Sequence, residues 1–211
     1  MFDPVAFSLF LLAAVALAAS PGPALLYVAA RTLAGGRREG FASSFGTALG
    51  GLVHVIGGAI GVSAILMASA EIFTALKLLG ALYLVWLGIR TWRTATLDLG
   101  PVKVSAAGTR RAFLDGVVVE ALNPKTAAFF LAFLTQFVDP ARGDVALQFI
   151  LLGTISVALN TSADIVIALC ADRLRRRLIA RPHWFRRLQR GSGALLCGLG
   201  VALAFARRPA V

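Results

Sequence analysis

Residues Val5–Ala30 read VAFSLFLLAAVALAASPGPALLYVAA, an apolar run with no charge between Asp3 and Arg31. It exceeds the ~20 residues a helix needs to cross a bilayer, and Ser20-Pro21-Gly22-Pro23 interrupts it. A second run, Ala112–Val138, is interrupted in the same way by Asn123-Pro124-Lys125. In hydrocarbon no water satisfies freed backbone groups, so a broken helix persists only where protein or a polar cavity surrounds the break. Two breaks at corresponding places in two half-chains are the pattern of a binding site built from interrupted helices.

Working outward, 58% of the 211 residues are hydrophobic and the mean hydropathy is +0.82. A soluble domain of this size cannot hide that much apolar surface. The expected fold class is all-α: a polytopic membrane protein with about six transmembrane helices. The spans are read as 5–30, 41–69, 72–87, 112–138, 145–171 and 191–206, forming one transmembrane transporter domain over 1–211. A cleaved signal peptide is the competing reading of the first run, since Ala16-Leu17-Ala18-Ala19-Ser20 offers small residues. The charged n-region such a peptide needs is missing, and the apolar run continues past the break.

The net charge of +11 raises nucleic acid as a partner, but the positions of the charges argue against it. Sixteen of the twenty-one basic residues fall in the first, third and fifth loops, eight of them between Arg173 and Arg190. Only Arg142, Arg207 and Arg208 fall on the opposite side. This is the positive-inside pattern; it places loops one, three and five in the cytoplasm and both termini outside. The arginines of the fifth loop also suit anionic lipid headgroups. Cys170 and Cys197 have no metal-ligand or CxxC spacing and are expected to pack as small apolar groups. No nucleotide loop, Ser-His-Asp set or pair of catalytic acids is evident, so neither an enzyme nor a cofactor is expected. A metal exporter would need clustered ligands, and His54, Asp115, Glu120 and Asp164 lack such spacing.

Three spans precede the third loop and three follow it. The second half therefore enters the membrane from the opposite side, giving a 3+3 inverted repeat with broken helices 1 and 4. Gly46-xxx-Gly50 and Gly57-xxx-Gly61 each put two glycines on one helix face, where another backbone can approach closely. Packing within one chain is the preferred reading, with a homo-oligomer seam as the alternative. Gly191, Gly193, Gly198 and Gly200 suggest the same tight packing in the last span.

Proline lacks an N–H and clashes with the preceding turn. Pro21 would free the carbonyl of Leu17, Pro23 that of Ala19 and Pro124 that of Glu120. Beyond each break the restarting helix offers unpaired N–H groups, a site for an anion. Carbonyl acceptors and N–H donors around one cavity suit a zwitterion such as an amino acid, so Ser20, Pro21, Gly22, Pro23, Asn123, Pro124 and Lys125 are the candidate substrate-binding residues. Lys125 lies too deep to snorkel and needs a partner or a wet cavity, with Glu120, Asp115 and Asp164 as candidates. Glu120 and Asp164 are the candidates for proton coupling; for Asp164 a structural ion pair stays open as well. Asp115 and Lys77 are expected to reach the membrane surfaces, and His54 to be a hydrogen-bonded histidine within its span.

With these residues in hand, the chain resembles the LysE/RhtB family of bacterial amino-acid exporters. The resemblance rests on Ser20-Pro21-Gly22-Pro23, the glycine-rich stretch from Gly46 to Gly61 with His54, Leu79-Gly80-Ala81-Leu82-Tyr83-Leu84 with Leu87-Gly88, and Asn123-Pro124-Lys125 followed by Phe129-Phe130. It implies efflux of amino acids or related metabolites across the inner membrane in exchange for protons, with a small-molecule substrate, protons and lipid as partners. One departure is Phe133-Leu134-Thr135-Gln136-Phe137, where the family often has proline at the position of Thr135. The loss of a helix breaker there implies different gating at the outer mouth.

Overall fold

The computed structural model describes residues 2, 4–68, 70–93, 106–180, 187, 190, 191, 193–198, 200 and 201. Lys103, Arg181, Arg186, Arg207 and Arg208 lie outside this set, as do the side chains of Lys77, Arg173, Arg175, Arg176 and Arg177. Among the described residues there are helices and no strands. They are α1 (Pro4–Ala19), α2 (Pro23–Ala68), α3 (Ala70–Arg93), α4 (Thr109–Ala121), α5 (Pro124–Ala128) and α6 (Val145–Ala180). After α5 the chain loosens into a π-helical turn, Phe129–Phe133, and a 3-10 turn, Leu134–Phe137.

Both predicted breaks are present, and proline has the same place in each. The chain leaves α1 after Ala19 and restarts at Pro23; it leaves α4 after Ala121 and restarts at Pro124. A proline at the first helical position loses nothing, because that N–H has no intrahelical acceptor. Pro23 and Pro124 therefore start helices, and the kinks lie in the short linkers before them. Around the second break, residues 109–121 and 124–137 bend by 42°.

Helix α2 contains a reversal. Gly36 has φ 76 and ψ −176, outside the helical region. Tyr27 donates a hydrogen bond to the carbonyl of Ala112, while a Cβ on Gly46 would strike the backbone of the adjacent Phe113. At about 1.5 Å per residue, a straight helix would hold positions 27 and 46 roughly 28 Å apart. The two arms, 23–35 and 37–68, therefore run side by side from a turn at Gly36, a backbone conformation that glycine adopts without Cβ strain. The expected first loop is this turn, and helix runs up to it from both sides.

By length and composition, residues 145–170 can cross a membrane, as can the run 23–61, which the turn at Gly36 divides into two arms; the bent pair 109–121 with 124–137 adds a crossing if it is one span. Residues 6–19 and 81–90 are shorter apolar helices. The surface supports a membrane location. Leu12, Ile60 and Leu122 are 72%, 68% and 76% exposed, while Ser43, Ser44, Gln148 and Ser156 are fully buried. Leucine outside and serine inside inverts the arrangement of a water-soluble domain. The buried hydroxyls stay satisfied by bonding back along their own helices: Ser43 to the Glu39 carbonyl, Ser44 to Gly40 and Ser156 to Leu152.

The glycines divide by face. Gly46 and Gly50 of α2 lie against the backbone of α4 at Phe113 and Val117, and Gly116 of α4 lies against Ser43 and Thr47. The first glycine pair is thus packing within the chain, as expected. Gly57 and Gly61 face open space. Gly193 and Gly200 pack on α3 beside Gly88 and Ala81, whereas Gly191 and Gly198 have nothing within 4 Å among the described residues.

Candidate functional site

Asn123-Pro124-Lys125 is a complete helix start. Asn123 is the N-cap of α5; its side-chain oxygen accepts from the Lys125 backbone N–H at 3.1 Å, and Pro124 takes the first helical position. That bond fixes the orientation of the amide, so the Asn123 NH2 group must face the other way. It donates to Glu120 Oε2 at 2.8 Å, and the Thr126 hydroxyl donates to Glu120 Oε1 at 2.8 Å. The break thereby holds the Glu120 carboxylate with one donor on each oxygen.

Lys125 is 9% exposed, and its ammonium reaches across to the other break. Nζ donates to the carbonyl of Leu17 at 3.1 Å and to that of Ser20 at 2.8 Å. The carbonyl of Leu17 is the one Pro21 was expected to free, and a cation at the C-terminus of α1 also meets the negative end of that helix. The predicted partners of the lysine were carboxylates; its hydrogen bonds go instead to these two backbone oxygens. Each bond from a charged donor is worth about 1.5–3 kcal/mol. The carbonyl of Glu120, expected to be freed by Pro124, lies 2.9 Å from His54 Nε2 and 2.9 Å from the backbone N–H of Asn123. A carbonyl only accepts, so His54 carries its hydrogen on Nε2. Two of the three oxygens expected to be freed, those of Leu17 and Glu120, therefore bond to side chains of the protein itself, so these two do not stand open to an incoming ammonium.

The ends of α1, α2 and α4 meet α5 and the middle of α6 around one hollow. Ser20, Gly22, Thr47, Glu120, Asn123, Lys125, Asn160 and Asp164 line it, with Phe129 and Phe130 on the apolar side. Pro21, Pro23 and Pro124 are not among the lining residues: they shape the breaks and do not present surface to the hollow. The cavity volume is about 30 Å³, room for roughly two water molecules. Among the described residues Ser20 Oγ, buried beside the first turn of α2, has no hydrogen-bond partner. Gly22 lies so close to Lys125 that a Cβ there would come within 3.2 Å of Nζ. Asp164 is 5% exposed and bonds to the Thr47 hydroxyl at 2.9 Å.

Two clusters of different chemistry lie on the helices that line the hollow. On one side, Phe10 stacks edge-on to Phe137 at 5.6 Å, and Phe133 packs between Phe129 at 5.3 Å and Phe137 at 5.1 Å. The chain passes through π and 3-10 geometry there with no proline between Phe129 and Phe137, so proline is not required to break the helix at that point. On the other side, Arg31 bonds to Asp115 at 2.8 Å and to the Tyr27 hydroxyl at 3.2 Å. Glu39 lies 4.0 Å from Arg31 and accepts from the backbone N–H groups of Ala107 and Gly108, which tethers the entry to α4. Asp115 is part-exposed as expected, but it is paired with Arg31 and Arg111 and is remote from Lys125's hydrogen bonds. Thr47 and Glu39 were not singled out from the sequence: a threonine in a glycine run reads as a small packing residue, and a glutamate beside two arginines reads as a loop charge.

Among the described residues, no three His, Cys, Asp or Glu side chains group to hold a metal ion. Cys170 is exposed on α6, and Cys197 packs on α3, with its Sγ 3.5 Å from the Val85 carbonyl.

A family model described as LysE type translocator matches residues 15–207. An uncharacterized membrane protein of Vibrio cholerae is 33% identical over 202 residues, 94% of this chain and 96% of its own. The homoserine/homoserine lactone efflux protein of Salmonella typhimurium is 30% identical over 199 residues, 94% of this chain and 95% of its own. A leucine efflux protein of Enterobacter sp. is 27% identical over 135 residues, 64% of each chain. No solved structure matches the chain.

Proposed function

The chain belongs to the LysE type translocator family, and from that premise we propose that it is a secondary exporter of an amino acid or a related small zwitterionic metabolite, working by proton antiport across a bacterial inner membrane. The observation that carries this reading is the meeting of two broken helices over one buried ammonium, with Lys125 of the second break bound to the carbonyls of the first. A hollow that holds a cation, two carboxylates and a helix N-terminus in an apolar shell is costly unless something polar uses it.

The substrate carboxylate belongs at the first turn of α2, where Ser20 Oγ lacks a partner and the Lys125 ammonium has a third N–H to give. The substrate ammonium belongs on the Glu120 and Asp164 side. In this reading Ser20, Gly22, Asn123 and Lys125 touch or orient the substrate, while Pro21, Pro23 and Pro124 hold the breaks open. The cavity of about 30 Å³ is smaller than an amino acid, so the hollow must widen to take one. The aromatic stack and the Arg31–Asp115–Glu39 cluster are the two gates of an alternating-access cycle. Six crossings, the 3+3 inverted repeat and cytoplasmic loops one, three and five complete the arrangement we propose; the ionic gate then faces the cytoplasm. The chain works alone or as a homo-oligomer in this scheme. Export of another small solute such as a metal cation is the alternative, and the scarcity of clustered ligands among the described residues favours it less.

Cells lacking the gene and fed dipeptides are expected to accumulate one amino acid or relative inside, and restoring the gene is expected to clear it. If every amino acid and homoserine derivative stays level between the two strains, the export reading is wrong. Pro21→Ala with Pro23→Ala is expected to slow efflux about tenfold by letting α1 run on into α2. An unchanged rate in everted vesicles would show the first break to be scaffold only.

A further inference from the structure

The two carboxyl groups of the hollow are not equivalent. Glu120 receives two donors that have no other use: the Asn123 NH2, whose orientation is fixed by the bond from the Lys125 N–H to Asn123 Oδ1, and the Thr126 hydroxyl. Each of its oxygens has a donor available, so an ionised carboxylate is fully satisfied there. Among the described residues Asp164 has a single hydrogen bond, and its partner is contested. The Thr47 hydroxyl lies 2.9 Å from Asp164 Oδ2 and 2.9 Å from the carbonyl of Ser44. A hydroxyl has one hydrogen and two lone pairs. If Asp164 were ionised, Thr47 would face two acceptors with one hydrogen. If Asp164 carries a proton, it donates to Thr47, Thr47 donates to Ser44, and both contacts are hydrogen bonds.

Charge balance points the same way. Glu120 at the end of α4, Lys125 on α5 and Asp164 on α6 all line the hollow. His54 of α2 is turned to the Glu120 carbonyl, and the neighbours of Asp164 on its own helix, Asn160 and Thr161, donate to the Ser156 and Val157 carbonyls. Two ionised carboxylates against one ammonium leave a net negative charge among buried side chains. One proton cancels it.

We propose that Asp164 carries the coupling proton and that Thr47 is the positioning residue that registers its presence, with Glu120 the permanently ionised partner of Lys125. This rests on the exporter reading for its place in a cycle. The substrate ammonium enters from the cytoplasmic side and takes over the positive charge at Asp164, whose proton leaves to the cytoplasm. After the substrate departs outward, a proton from the outer side restores the neutral carboxyl. The proton and the substrate ammonium take turns as the positive charge at Asp164, so one carboxyl cannot hold both at once, which is what couples the two movements.

Infrared difference spectra of the purified chain in lipid nanodiscs test the assignment without any substrate. Wild type minus Asp164→Asn is expected to contain a carboxylic-acid C=O band. Wild type minus Glu120→Gln is expected to contain carboxylate stretches and no such band. Thr47→Val is expected to shift the acid band without removing it, since the acid loses its acceptor; it is also the control should Asp164→Asn fold poorly. An acid band assigned to Glu120, carboxylate stretches assigned to Asp164, or no change in the acid region on Thr47→Val would each overturn the proposal. The dipeptide-fed cells judge export separately: lost export with an intact acid band condemns the function, and intact export with the wrong band condemns the proton site.

Discussion

Lys125→Ala is expected to abolish export while the protein still reaches the membrane. Three losses coincide at this residue. The carbonyls of Leu17 and Ser20 lose their charged donor, Glu120 loses the cation that balances it, and a substrate carboxylate loses its counter-charge. Losing even the two charged hydrogen bonds at about 1.5 kcal/mol each amounts to about 3 kcal/mol, a factor of roughly a hundred in transport. Removing one member of a buried charge set also destabilises the fold by about 3–5 kcal/mol, so thermal unfolding in detergent should shift down together with transport. Two further variants separate the contributions. Lys125→Met keeps the chain length and fills the same space, so it should recover part of the stability and none of the efflux. Lys125→Arg keeps the charge but presents a planar fork where a compact ammonium fits between two carbonyls, and should recover little of either. Normal efflux by Lys125→Met in everted vesicles would remove the lysine from the mechanism.

The architecture of the breaks was legible because it is written in local chemistry. Ser-Pro-Gly-Pro and Asn-Pro-Lys contain a cap residue and an N1 proline within four positions, and the structure restarts a helix at Pro23 and at Pro124. Three carbonyls expected to be freed could be named, those of Leu17, Ala19 and Glu120, because a proline acts on the residue four before it, and side chains of the protein meet the first and the last. Their partners were not legible. Lys125 lies 108 residues from Leu17 and His54 lies 66 residues from Glu120, and nothing in a single sequence encodes which distant side chain arrives. A lysine deep in a span suggests a carboxylate partner on general grounds; here the nearby acid was already held by Asn123 and Thr126. Thr47 escaped notice for a related reason. Its neighbours are small because α4 presses on that face, and the one polar side chain among them matters only once α6 brings Asp164 alongside. The gates were partly legible. Arg31 and Asp115 were seen as charges at span ends, yet their pairing depends on the turn at Gly36 folding the two arms of α2 back along α4.

Gly46→Val is expected to prevent the fold from assembling, whereas Gly57→Val is expected to do almost nothing. Both glycines sit in the same arm of α2 in the same four-residue pattern, and the sequence alone treats them alike. A Cβ on Gly46 would meet the carbonyl oxygen of Phe113, with the carbonyl carbon at 2.9 Å and Cα at 3.1 Å behind it. All three are backbone atoms of α4, so no side chain can rotate out of the way and the helices must separate. Parting them also pulls Gly50 from Val117 and Glu120, and Gly116 from Ser43 and Thr47, which dismantles one wall of the hollow. Overpacking of this kind costs about 1–3 kcal/mol in a core that can adjust; between two rigid backbones the upper end or beyond applies. At Gly57 nothing lies within 4 Å, and a valine there gains some helix propensity, so stability should stay within about 0.5 kcal/mol of wild type. Size-exclusion profiles and unfolding temperatures of the two variants, expressed side by side, measure the contrast. A well-folded Gly46→Val with wild-type stability would mean that α2 and α4 are farther apart than the hollow requires. A Gly57→Val that falls apart would mean that the outward glycine face is covered, and a second copy of the chain would then be the first partner to look for.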